Sequence, residues 1–387
     1  SSGHMVEAEG AQMRIGSLFS GYGGLDLAIH EVLGAETAWV SDIDKGAATV
    51  LAHRFPDVPN LGDITAIDWS TVEPVDIIAG GFPCQDISSA GKGAGMRPGT
   101  RSGLWSHMAY AISQLRPRLV VIENVRALIS ASAHSDVEPC TWCVGDSPDG
   151  VMRALGAVLA DLADIGYDAT WHGLRAADIG APHGRFRVFV VAYPYGQQSQ
   201  GVGALPRLGR RSDSRGDLQL LPTPVVNDMG DGKTLEWWDD TDRMKVGHGN
   251  GNGHGASLAI EAMRLLPTLR TENNENRQSE SHAGTRGNFH GLLTGAVQWG
   301  DYADAIHRWE TITRPAPPPT TPGKNGPRLN PAFSEWMMGV PAGWFTDIPG
   351  ISRTQALKLA GNGVVPQQAA QALRIILAHI AETRTAA

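Results

Sequence analysis

The chain has 387 residues, enough for a large core and two domains, and its three cysteines exclude a disulfide framework and suit a reducing cytoplasm. No stretch reads as a membrane span or a secretory leader, so no membrane is expected as a partner. The formal charge of −8 argues against nucleic acid bound through overall charge, but Tyr195 to Arg328 holds fifteen basic and fifteen acidic residues, so the excess lies elsewhere and DNA would have to meet local basic clusters.

Ser1-Ser2-Gly3-His4 reads as an expression remnant, which puts the first native residue at Met5. Arg14 to Phe19 reads as a first strand. Ser20-Gly21-Tyr22-Gly23-Gly24 follows, then a helical pattern from Leu25 to Leu33. Glycines in such a turn let the backbone approach a ligand, and the helix N-terminus favours a carboxylate; an ordinary flexible turn is the alternative. The strand Glu36 to Val40 ends at Ser41-Asp42-Ile43-Asp44. An acidic side chain there can accept hydrogen bonds from ribose hydroxyls, while Asp44 reads as a helix cap.

Val75 to Ala79 is a short β-branched run of the kind buried in a parallel sheet, and Gly80-Gly81-Phe82-Pro83-Cys84-Gln85 follows it. The glycines allow a sharp turn, Pro83 stiffens it, and Cys84 is left at a strand's carboxyl end, where open α/β sheets bind ligands. A thiol there serves as a nucleophile if its pKa is lowered; a buried structural cysteine is the alternative. Ser88 to Met96 has the serine and glycine content of a mobile loop. Leu119 to Ile122 is a second buried strand ending in Glu123-Asn124-Val125. Cys140 and Cys143 lie in a polar insertion with only His134 close by, short of the four ligands zinc usually takes, so no metal is expected. Asp149 to Ile165 reads as an amphipathic helix with Met152, Leu155, Val158, Leu159 and Leu162 on one face, and Tyr167 to Gly173 as a strand. Arg185 to Val191 alternates arginines with apolar residues as it enters a further strand.

From Tyr195 to Pro327 periodicity fades. Leu220-Leu221-Pro222-Thr223 recurs as Leu265-Leu266-Pro267-Thr268, and Pro315 to Pro319 reads as a stiff extended linker. Arg207, Arg210, Arg211 and Arg215 form the densest basic cluster, a phosphate-contacting or merely solvated face. Order returns at Arg328, and a last helix is expected from Gln367 to about Glu382.

Pro-Cys-Gln, Glu-Asn-Val and Arg-x-Arg, in that order on three strand ends, closely resemble the hallmark blocks of the C5-cytosine DNA methyltransferases, of bacterial or bacteriophage type. The resemblance runs from about Arg14 to Ala378. It implies an α/β fold: a Rossmann-like S-adenosylmethionine-dependent methyltransferase domain with a smaller, irregular target-recognition domain. The expected divisions are a tail over 1–13, a catalytic and cofactor domain over 14–194, target recognition over 195–327, a connecting segment over 328–352, and a C-terminal piece over 353–387 that returns to the catalytic domain.

The resemblance further implies that Cys84 adds to C6 of a cytosine flipped from double-stranded DNA, and that Glu123 hydrogen-bonds or protonates N3. Arg185 would hold O2 and orient Glu123, and Arg187 is a further catalytic residue. S-adenosylmethionine would lie against Phe19, Ser20, Gly21, Gly23, Gly24, Leu25, Asp42 and Ile43, with Asp63 taking the adenine amino group and Ile64 packing on the ring. Gly80, Pro83, Leu104, Asn362 and Val364 complete that set. Gln85, Ser88, Ser89, Arg207, Arg210 and Arg211 would contact DNA. His183 stands where the family has Gln. The expected protein is a cytoplasmic monomer, with a separately acting restriction endonuclease as a further candidate partner. An RNA cytosine methyltransferase and an inactive DNA-binding relative are the alternatives; a nicotinamide oxidoreductase would leave the three blocks unexplained.

Overall fold

The computed structural model describes residues 12–83, 103–130, 132–133, 152–195, 219–226, 257–265, 299–323 and 326–385. Cys84, Gln85, Ser88, Ser89, Cys140, Cys143, Arg207, Arg210 and Arg211 lie outside them. The chain divides into two compact units. The first comprises Ser1–Leu174, Phe186–Arg210 and Val364–Ala387, the second Arg175–Arg185 and Arg211–Gly363.

The first unit is built on a six-stranded sheet. Its strands are β1 (Arg14–Leu18), β2 (Glu36–Ser41), β3 (Ile77–Gly80), β4 (Leu119–Val125), β7 (Tyr167–Arg175) and β8 (Phe186–Pro194), in the order β2-β1-β3-β4-β8-β7. β1 runs parallel to β2 and β3, and β3 parallel to β4, whereas β8 runs antiparallel to β4. The central strands are apolar on both faces: Ile77, Ile78, Val120, Val121 and Ile122 are fully buried. Parallel strands covered on both sides require this pattern. Close approach at the sheet's centre depends on glycine. A Cβ on Gly16 would sit 2.1 Å from the Trp39 ring, and one on Gly80 would sit 2.8 Å from the Leu18 carbonyl.

Helices α1 (Gly24–Leu33), α2 (Lys45–Arg54), α3 (Gly103–Leu115), α4 (Ala127–Ser130) and α5 (Ala154–Asp164) belong to this unit. Asp44 caps α2 by accepting from the Ala47 amide, as its position before the helix foretells. Trp105 on α3 packs on Phe82 at 5.1 Å and donates its indole N–H to Asp161 at 2.6 Å. Met152, expected on the α5 face, instead lies in a two-residue ribbon, β6 (Met152–Arg153), antiparallel to β5 (Ser132–Ala133). That backbone is committed to a strand partner, so α5 starts at Ala154 and not at the expected Asp149, and it buries Leu155, Val158 and Leu162.

The second unit contains α6 (Leu258–Arg264), α7 (Ala303–Ile312), the hairpin β9 (Thr320–Gly323) and β10 (Gly326–Leu329), α8 (Pro331–Met337) and α9 (Arg353–Asn362). Glu335 is fully buried on α8. Its carboxylate accepts the amides of Gly343, Phe345 and Thr346, so it orders the loop after the helix. The proline run 315–319 is not a free linker. Asn330 donates to the Pro318 carbonyl at 2.8 Å through its side chain and to Pro319 at 2.9 Å through its amide. Prolines give up donors, but an extended chain still presents its carbonyls. Helix α10 (Pro366–Thr385) belongs to the first unit, packing on α1 and β8. Among the described residues no helix is long and apolar enough to cross a membrane.

Candidate active site

Two groups of the expected residues gather in the first unit at the sheet edge formed by the carboxyl ends of the parallel strands and the amino end of β8. One surrounds Glu123. In the antiparallel pairing of β4 with β8, Glu123 faces Phe189 and Val125 faces Arg187, which makes Glu123 and Arg187 diagonal neighbours on one face. Arg187 Nε lies 2.5 Å from Glu123 Oε1, and Glu123 is only 7% exposed. Oε1 is thus held in a close, buried ion pair. Its other oxygen, Oε2, crowds Gly81: a Cβ there would stand 2.9 Å from it.

Asn124, to which the sequence assigned no role, donates its side-chain N–H to the Phe82 carbonyl at 3.0 Å and accepts the Val125 amide at 2.8 Å. The turn leading to Cys84 is thereby pinned from β4, while Phe82 is anchored in the core at 3% exposure. Pro83 is exposed.

The second group forms the turn after β1. Phe19 has a left-handed backbone, φ +54°, as do Gly21 at +57° and Gly23 at +83°. A left-handed aromatic residue is costly and persists only where surroundings enforce it, and such sites cluster where ligands are held. Phe19 donates its amide to the Ser41 carbonyl at the end of β2 at 2.8 Å, and the next residue, Asp42, holds the turn beyond it. Its Oδ2 accepts the Gly21 amide at 2.8 Å and its Oδ1 the Asp44 amide at 2.8 Å. Tyr22 donates its hydroxyl to the Val364 carbonyl, the same oxygen that leaves no room for a Cβ on Gly24. Ser20 donates to the Ser17 carbonyl at 3.1 Å. The N-cap of α1 is Gly23, which has no side chain to offer the first turn of the helix.

Around this turn, Ile43 is 73% exposed, unusual for so large an apolar side chain. Asp63 is exposed, and the Thr65 amide and then the Thr65 hydroxyl hold its carboxyl below the ordinary aspartate range. Both bonds fall on Oδ1. Leu104 is half-buried against the core, and Gly80 is buried.

Three expectations change. Ile64 is 5% exposed and packs into the core cluster, so little of it is left for a ring; the exposed apolar side chain here is Ile43. Leu25 is likewise a core residue at 5% exposure and offers a ligand only its backbone. The arginine paired with Glu123 is Arg187, not Arg185. β8 begins at Phe186, and Arg185 falls in the second unit. There its guanidinium donates to the carbonyls of Gly361 at 3.1 Å, Gly363 at 2.6 Å and Pro224 at 3.4 Å. The neighbouring His183 is fully buried, with Nε2 3.0 Å from the Met337 carbonyl. Asn362, exposed at the end of α9, also belongs to the second unit.

A mostly parallel sheet with a glycine turn after its first strand, and a glutamate–arginine pair at the ends of later strands, defines a Rossmann-like methyltransferase. Comparison with known proteins narrows this. The family description "C-5 cytosine-specific DNA methylase" matches residues 13–377, and the chain belongs to that family. It is similar to the Type II methyltransferase M1.ScrFI of Lactococcus lactis subsp. cremoris, 30% identical over 58% of this chain and 49% of that protein. It is also similar to the Type II methyltransferase M.NgoFVII of Neisseria gonorrhoeae, 33% identical over 46% of this chain and 43% of the other. The chain thus spans about half the length of the curated relatives it matches. Among solved structures, the S. pombe Dnmt2 methyltransferase shares the fold, with a TM-score of 0.52 at 12% identity, covering 95% of this chain and 99% of that one.

Proposed function

We propose that the protein is a DNA (cytosine-5-)-methyltransferase that takes its methyl group from S-adenosylmethionine. The observation that carries this reading is the Gly81–Glu123–Arg187–Asn124 arrangement immediately before Cys84, in a chain of this family.

C5 of cytosine is a weak nucleophile. Addition of the Cys84 thiolate to C6 turns the ring into an enamine whose C5 is nucleophilic. Glu123 hydrogen-bonds or protonates N3 as charge develops there, and Arg187 fixes the Glu123 carboxyl. Asn124 holds the backbone that delivers Cys84. Once C5 carries the methyl group, loss of the C5 proton to water or a weak base restores the C5–C6 double bond and expels the thiolate. The target carbon is hidden inside a duplex, so the base is flipped out at a cost of a few kcal/mol.

S-adenosylmethionine, when bound, supplies an electrophilic methyl group. The turn after β1 fits it: the uncapped α1 N-terminus suits its carboxylate, Asp42 its ribose hydroxyls, and Ile43 with Asp63 its adenine. The partner is double-stranded DNA in the cytoplasm, with a cognate restriction endonuclease acting separately.

The test is bisulfite sequencing of DNA incubated with the purified protein and S-adenosylmethionine. Converted cytosines should resist at a defined sequence, and Cys84→Ala should abolish this. Methylation of RNA but not DNA, or none by the wild-type protein, overturns the proposal.

A further inference from the structure

Asp26 is a buried carboxyl that the proposed chemistry does not use. It lies in the first turn of α1 and is 2% exposed. Its Oδ2 accepts the Ser17 hydroxyl of β1 at 2.9 Å, and its Oδ1 the Thr37 hydroxyl of β2 at 3.2 Å. Among the described residues no basic side chain pairs with it. A carboxyl removed from water without a cation is costly, so a second apolar residue on this face would be the cheaper choice for stability.

Its partners show what it holds. β1, β2 and the first turn of α1 converge on Phe19–Gly24. Ser17, whose hydroxyl reaches Asp26, also lends its carbonyl to the Ser20 hydroxyl inside the turn. One residue past β1, Phe19 adopts the left-handed backbone that the surroundings must impose. Asp42 and the Val364 carbonyl grip the turn through Gly21 and Tyr22. Asp26 grips the three elements that carry it.

We infer that Asp26 is a positioning residue of the cofactor site: bonded to Ser17 and Thr37, it fixes β1, β2 and α1 so that the Phe19–Gly24 turn is preformed for the methyl donor. The inference rests on the proposed function, because that function names the ligand.

Calorimetric titration of S-adenosylmethionine tests it, with thermal melts in parallel. In Asp26→Asn the amide still accepts from one hydroxyl and donates to the other, so affinity should stay within about twofold of wild type. Asp26→Leu, near in volume but without an acceptor, should bind about tenfold more weakly. Its kcat at saturating cofactor should be unchanged, since Glu123, Arg187 and Cys84 are untouched. Should Asp26→Leu not fold, Ser17→Ala, which removes one of the two bonds, should still weaken binding by about threefold. Wild-type affinity in a folded Asp26→Leu or Ser17→Ala protein, with or without a lower melting temperature, reduces Asp26 to a core residue and overturns the inference. Equal loss in Asp26→Asn and Asp26→Leu does the same, because it takes the effect away from these hydrogen bonds. Failure of the wild-type protein to bind S-adenosylmethionine overturns the proposed function and this inference together, and is seen before any variant is compared.

Discussion

Gly81→Ala adds one methyl group where the site has no space for it. The new Cβ would stand 2.9 Å from Glu123 Oε2 and 3.3 Å from the Glu123 carbonyl oxygen. Gly81 does not have a left-handed backbone, so space and not backbone angle makes this position glycine. Ordinary contact begins near 3.4 Å, so the carboxylate must shift by about half an ångström or more. It cannot shift freely, because Arg187 holds its other oxygen at 2.5 Å. Overpacking of this size costs about 1–3 kcal/mol. Misplacing a catalytic group by about 1 Å costs up to about 100-fold in rate. We therefore expect kcat for DNA methylation to fall about 10- to 100-fold, with S-adenosylmethionine affinity within about twofold of wild type, since the Phe19–Gly24 turn is not touched. The assay is tritium transfer to DNA under saturating conditions, beside a calorimetric cofactor titration. Gly80→Ala is the contrast. Its Cβ would meet the Leu18 carbonyl at 2.8 Å, a strand backbone that cannot yield, and should cost stability first. If Gly81→Ala keeps wild-type kcat, Glu123 is not constrained as argued and the proposed role of its position fails.

Arg187→Lys should lower kcat strongly while preserving the fold, because lysine offers a point charge in place of a guanidinium fork; Arg185→Lys should chiefly lower the melting temperature, through the lost bonds to Gly361, Gly363 and Pro224, and a reversal of these two outcomes refutes the assignment. Asn124→Ala frees the Phe82 carbonyl and should slow covalent trapping on 5-fluorocytosine DNA at unchanged cofactor affinity; trapping at the wild-type rate refutes the tether. Burial is the larger influence on Asp26 and raises its carboxyl pKa, against the lowering effect of the Ser17 and Thr37 hydroxyls. The folded protein then keeps a proton that the unfolded chain has released, so this group's contribution to stability declines as pH rises from the ordinary aspartate value through the raised one. Asp26→Asn lacks that decline. Its melting temperature relative to wild type should therefore rise as pH is raised from the ordinary aspartate value, and a constant difference refutes the shift.

Strand ends were the legible part of this sequence. Buried β-branched runs such as Ile77–Ile78 and Val120–Ile122 have few alternatives to a covered parallel sheet, and the polar residues that interrupt them must then lie at its edge. What the sequence could not supply was the choice between similar residues a few positions apart. Ile43 and Ile64 each adjoin an aspartate, and only tertiary packing leaves one exposed and the other in the core. Arg185 and Arg187 share a strand-like alternation, but the strand starts between them, and boundaries are what local pattern fixes least well. Met152 fits the helical face of α5 until a partner at Ala133 competes for its backbone. Asp26 did leave a signal: it stands among Leu25, Ala28 and Ile29 on the buried face of α1, where a carboxyl needs a reason.

The state of Glu123 bears on why this arrangement reads as chemistry and not as scaffolding. Glu335 is fully buried, and its carboxylate is filled by three backbone amides. Glu123 is nearly as buried, but among the described residues Arg187 grips only its Oε1, and Oε2 lies over a glycine that gives it room. Filling Oε2 as well was within reach of the sequence. A side chain at position 81 or a donor nearer on β8 would have quenched the carboxylate and made the sheet's edge more stable. The chain instead keeps Gly81 open, spends Asn124 on the backbone that leads to Cys84, and leaves Glu123 with hydrogen-bonding capacity beside that backbone. A carboxyl gripped at one oxygen and open at the other is the arrangement that the proposed contact with the base's N3 requires.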